Sequence, residues 1–200
     1  MDFSAFLKSL EDSGLARSLR GSLYYFPFIE SVHVMALGVV FGTILVVDLR
    51  ALGVASTNRP FTRLSAELLR ITWGAFAVAA LTGSLMFVTN ARVYAHNTAF
   101  LVKMALLALA GLNMAVFHLT AGRTVAAWDR SRTAPQAGRV TAAASLALWV
   151  GIILAGRVIG FTTTGAQAKQ APVSTVNFED FLNDSASSAP ASAPPEGHAP

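Results

Sequence analysis

The sequence predicts an all-α integral membrane protein: an up-down bundle of four transmembrane helices, with an N-terminal amphipathic helix and a disordered C-terminal tail. Three observations carry this. Of 200 residues, 54% are hydrophobic and only 13% charged, about half the roughly 25% typical of soluble domains, and the mean hydropathy is +0.53. The apolar residues gather into four stretches, each near the roughly 20 residues that cross ~30 Å of hydrocarbon. The arginines gather between those stretches.

Residues 1–22 form a separate segment. Asp2, Lys8, Glu11, Asp12, Arg17 and Arg20 interrupt Phe3, Phe6, Leu7, Leu10, Leu15 and Leu19, so no signal-peptide pattern is visible. The apolar positions recur at helical spacing, which suits either a helix lying on the membrane surface or a solvated one. Residues 23–164 hold the four spans: about Leu23–Val47, Ile71–Val88, Phe100–Thr120, and Val140–Gly156 with an extension to Phe161. From about residue 165 to 200 the chain turns rich in Ala, Ser and Pro, a disordered composition, with Val176–Leu182 as a short apolar docking candidate.

Orientation follows the basic residues. Arg50, Arg59, Arg63 and Arg70 follow span one, and Arg123, Arg130, Arg132 and Arg139 follow span three, against Arg92 alone after span two. The positive-inside rule then puts both termini outward, in the periplasm of a bacterium. Small residues four apart (Gly38 and Gly42; Ala75, Ala79 and Gly83; Ala143, Ala147, Gly151 and Ala155) predict close helix packing.

Ionisable groups within a bilayer cost roughly 2.5–3.5 kcal/mol on insertion scales, so each needs a reason. They form two groups. The outer one is Glu30, His33 and Arg157, with Met86, Tyr94 and His96 at similar depth. Two readings fit it. His33 ligates a metal or haem, with Glu30, Arg157, Met86 and His96 completing a cofactor site; or Glu30 and Arg157 form an ion pair latching span one to span four. The inner group is Asp48, Arg50, Arg70 and His118, with Trp73 beside them and Asn113 deeper, and reads as a structural polar network. His33 and His118 sit roughly 20 Å apart along the membrane normal, too far to share one haem iron. Copper through His33 with Met86 or Met35 suits ligand softness.

Absences narrow the classes. There is no cysteine, hence no thiolate metal site, thiol catalysis or covalent haem attachment. No phosphate loop, His-Glu-x-x-His motif or Ser–His–Asp set at matching depth points to an enzyme, and no basic–aromatic surface points to nucleic acid.

Four short pieces carry a family resemblance: Glu30-Ser31-Val32-His33, Asp48-Leu49-Arg50, Asn113 with Phe117-His118, and Ala155-Gly156-Arg157. Across about residues 20–162 the chain resembles an uncharacterised family of bacterial four-helix inner-membrane proteins, known by a domain of unknown function. The resemblance implies a bacterial plasma-membrane location and brings no activity; the likeness to four-helix haem or copper membrane modules is one of fold only. Two functions stay open. One is a redox or metal-binding module holding haem b, copper or a quinone headgroup around His33. The other is a non-catalytic membrane subunit or anchor with structural polar latches, whose partners are the bilayer and a membrane or periplasmic protein.

Overall fold

The computed structural model describes residues 2–170. The first compact unit of the chain ends at Thr163. Four helices are long and apolar enough to cross a membrane, and the chain is a multi-pass membrane protein.

The first span, α3 (Tyr25–Leu52), follows two short helices, α1 (Phe3–Glu11) and α2 (Gly14–Gly21). The Ser22 hydroxyl accepts from the Tyr24 and Tyr25 amides at 3.3 Å and so starts α3. Gly53 ends it in the left-handed conformation at φ 77°, with its amide on the Arg50 and Leu49 carbonyls. The position needs glycine twice over, since an added Cβ would also lie 2.3 Å from the Thr133 methyl.

The second span is longer than its apolar stretch. Helix α4 (Phe61–Thr89) starts ten residues before Ile71, because its first turns carry Arg63, Glu67 and Arg70 beyond the apolar zone. Asp129 caps it: the Asp129 carbonyl takes the Phe61 amide at 3.0 Å, and Oδ1 takes the Thr62 amide at 2.7 Å. A one-turn helix α5 (Ala91–Ala95) occupies the connection after α4. Asn97 then caps α6 (Thr98–Leu119), accepting from Ala99 and Phe100. A 3-10 turn and α7 (Val125–Trp128) lead to α8 (Gln136–Gln170). Helix α8 therefore runs past residue 165, where the tail was expected to begin; the rest of that tail, with Val176–Leu182, lies outside the described residues.

Within the first unit α3 packs along α4, and Val40, Trp149 and Ile152 join α3 to α8 at the centre. Helices α6 and α8 meet where Leu106 lies over Gly151. Helices α4 and α6 meet through aromatic pairs near their two ends, Phe61 with Phe117 at 5.8 Å and Phe87 with Phe100 at 5.5 Å between ring centroids. The small-residue stripe is used unevenly. Gly83 and Gly151 receive side chains from neighbouring helices, whereas a Cβ at Gly38 or Gly42 would meet nothing within 4 Å. The expected close approach through Gly38 and Gly42 is therefore absent among the described residues.

The N-terminal segment is two helices rather than one, and it is docked. Leu7, Ala16 and Leu19 are buried while Phe3, Phe6 and Leu15 stay exposed. Glu11 accepts from the Arg92 amide at 2.8 Å and from Arg92 Nε at 2.7 Å. Arg20 donates to the Thr89 carbonyl at 2.8 Å and to the Glu11 carbonyl. The segment thus closes the end of the bundle where α4 turns into α5.

Candidate functional site

The residues of the outer group do not assemble as one site. His33 faces inward, and its Nδ1 lies 3.0 Å from Thr82 Oγ1 on α4. The Thr82 hydroxyl itself donates to the Val78 carbonyl at 2.7 Å, so it receives the Nδ1 proton. The ring fills the space above Gly83, where a Cβ would stand 3.0 Å from His33 Cε1. Lys103 of α6 acts on the ring electrostatically, with its Nζ 3.7 Å from where a Gly156 Cβ would be.

Glu30 and Arg157 do not pair. Among the described residues the ion pairs are Arg59–Glu67, Arg63–Glu67 and Arg92–Glu11. Both Glu30 and Arg157 are exposed, and Arg157 lies over the Phe161 ring at 5.5 Å. Helical geometry explains this. Glu30 stands ten residues before buried Val40, about 80° round the helix, and Arg157 five after buried Ile152, about 140° round. Burial pushes the Tyr94 phenol up, and the Glu30 charge pushes it the same way. His96 is exposed and turned to the Arg92 carbonyl at 2.8 Å. No hydrogen bond joins His96 or Met86 to His33 among the described residues, and no group of three His, Cys, Asp or Glu there could hold a metal ion.

The inner group divides in two. Arg50 is wholly buried and spends its guanidinium on backbone: Nε donates to the Arg59 carbonyl at 2.9 Å, Nη1 to Arg132 at 3.2 Å, and Nη2 to Asp129 at 3.1 Å and Ser131 at 3.0 Å. It ties the two connections at this end together and leaves Asp48 unpaired. Phe61, Phe117 and Trp128 pack beneath, with Phe61 4.7 Å from Trp128 between ring centroids.

Asp48, Asn113 and His118 line a cavity of about 560 Å³ between α3, α4, α6 and α8. Its walls are mostly apolar and include Trp73, Phe76 and Trp149. Asp48 Oδ2 is buried there with no hydrogen-bond partner, and Ser145 of α8 lies beside the carboxyl. Asn113 donates its amide to the Thr141 carbonyl at 2.9 Å. His118 Nδ1 lies 2.8 Å from the Met114 carbonyl, to which it can only donate.

A family model matches residues 13–162, three quarters of the chain, under the description family of unknown function (DUF6644). The chain belongs to that family. No curated protein and no solved structure matches it. The DUF6644 match takes in α3, α4 and α6 whole, so Asp48, Asn113 and His118 and the Arg50 tie all fall within it.

Sequence reasoning grouped ionisable residues by depth, and depth does not say which way a side chain faces. Thr82, Ser145 and the pairing of Lys103 with Gly156 went unread. Lys103 carried a usable signal, being five residues into α6 at nearly the depth of His33.

Proposed function

We propose that this membrane protein binds a lipid-soluble small molecule in the cavity between α3, α4, α6 and α8. One observation carries the reading: the buried, unpartnered Asp48 Oδ2 in an otherwise apolar space of about 560 Å³. Unsatisfied buried polar atoms are costly, and pockets of roughly 300–1,000 Å³ with apolar walls and a few polar groups are the usual form of small-molecule sites. The helices that wall the cavity are candidate membrane spans, which suits a lipid-soluble guest. The geometry at His33 supports packing rather than ligation. Its Nδ1 is engaged with Thr82, its ring is wedged on Gly83, and neither a second histidine nor a carboxylate hydrogen-bonds it. Haem b and copper therefore find less support at His33 than a quinone-sized guest does at Asp48.

Gly111 supplies the test. It lines the cavity, and a Cβ there meets nothing within 4 Å, so Gly111→Phe fills space without a backbone clash. Solvent extracts of wild-type protein, purified gently from membranes, should contain a lipid-soluble compound near stoichiometric amounts, and extracts of Gly111→Phe should not. Equal extracts from the two would overturn the reading and favour the structural-subunit alternative.

A further inference from the structure

We infer that α1 and α2 lie in the headgroup layer of the bilayer, on the leaflet opposite the arginine-bearing connections, with an apolar flank of each helix inserted among the acyl chains. The inference is independent of the cavity. It rests on how side chains are arranged around these two helices.

Both helices repeat one arrangement. In α1 the buried Leu7 stands between Phe6 and Lys8, and in α2 the buried Ala16 stands between Leu15 and Arg17. Successive residues are about 100° apart round a helix. Each helix therefore docks by one face, with an apolar flank on one side of that face and a cationic flank on the other. Phe3, about 40° from Leu7 on the Phe6 side, widens the apolar flank of α1. Phe6 and Leu15 remain 50% and 53% exposed, so docking on the bundle covers only part of each apolar arc. An apolar arc bordered by basic residues is the pattern of a helix lying in the membrane interface.

The path of the chain says what covers the rest. Only Ser22, Leu23 and Tyr24 separate α2 from α3, a candidate span. Such a link reaches at most about 14 Å, which keeps α2 near the hydrocarbon boundary. The exposed apolar surface continues across the joint through Leu23, Tyr24, Tyr25 and Phe28, and tyrosines at the start of a span are interfacial anchors. Charge says which lipid suffices. Glu11 is spent on Arg92, and Arg20 on the Thr89 and Glu11 carbonyls. The remaining Asp2 and Asp12 offset Lys8 and Arg17. Insertion then follows from apolar area and needs no anionic headgroup.

The chain has no cysteine, so one nitroxide label can be placed at a time. Phe6→Cys, Leu15→Cys, Lys8→Cys and Arg17→Cys, all at exposed positions, are labelled in the full chain. Leu109→Cys, exposed within α6, serves as the acyl-chain reference. The proteins are placed in nanodiscs of phosphatidylcholine, with or without phosphatidylglycerol. Electron paramagnetic resonance compares collisions with oxygen, which concentrates among acyl chains, and with a water-soluble nickel chelate. Oxygen should outweigh nickel several-fold at positions 6 and 15, as at 109, and the ratio should reverse at 8 and 17, equally in both lipids. Nickel-dominated collisions at all four positions would overturn the inference and leave a solvated cap. Labels at 6 and 15 shielded from both colliders would overturn it in favour of a second copy packed on that flank. An oxygen-rich signal that appears only with phosphatidylglycerol would also overturn it, since the anchor would then be electrostatic.

Discussion

Arg92 gives both its backbone amide and its Nε to the carboxylate of Glu11, at 2.8 and 2.7 Å, across 81 residues of chain. Glu11 is buried, and burial alone would raise its carboxyl. The two hydrogen bonds and the charges of Arg92 and Arg20 outweigh burial and hold it below its ordinary value of 4.5. A carboxyl lowered in the folded state stabilises that state fully above its unfolded value, and the contribution is lost as pH falls through the native value. Protection of the α1 and α2 amides against exchange, relative to the intrinsic rate at each pH, should accordingly be high near neutrality and fall below pH 4.5. Glu11→Gln should exchange fast at neutral pH with little further acid dependence. Unchanged exchange in that variant would show that the apolar contacts of Leu7, Ala16 and Leu19 hold the segment unaided.

Arg50 is the fixed point of the opposite end. Its hydrogen bonds, each worth about 1.5–3 kcal/mol with a charged donor, reach four carbonyls on two separate connections. Arg50→Ala and Arg50→Lys should both lower the detergent melting temperature strongly, since lysine has no planar fork to span the four acceptors. Arg59→Ala keeps its carbonyl for Arg50 and removes only an exposed ion pair with Glu67, so its effect should be small, about 0–1 kcal/mol. A mild effect of Arg50→Ala would mean that Asp129 capping of α4 holds the end without it.

Gly83 and His33 should be coupled. Gly83→Leu puts atoms where the imidazole stands and should destabilise by about 1–3 kcal/mol, the usual penalty of overpacking. Adding His33→Ala should recover much of the loss, although Thr82 then loses a partner. Melting temperatures of the two single variants and the double variant decide it. Additive losses would show that the ring is not seated on Gly83.

The arginine distribution sets the expected sidedness. A reporter active only outside the cytoplasm should give signal when fused after residue 200 and none when fused near Pro60. The opposite pattern would place the arginine-bearing connections, and the mouth end of the cavity, on the outer side.

The spans were legible in the sequence because hydropathy and helix length are local properties, read off one stretch at a time. The cavity and the latches were not, because each depends on which way a side chain turns and which distant backbone meets it. Arg50 looked like part of a charge network with Asp48, yet its partners are carbonyls of residues 59, 129, 131 and 132, which carry no sequence signature as acceptors. Glu30 and Arg157 matched in depth and sign, but their helices meet through Val40, Trp149 and Ile152, which turns both charges outward. The sequence by itself determined a four-span helical membrane protein with polar residues at two depths. Tertiary packing decided that Asp48, Asn113 and His118 line one cavity while His33 is spent on Thr82 and Gly83.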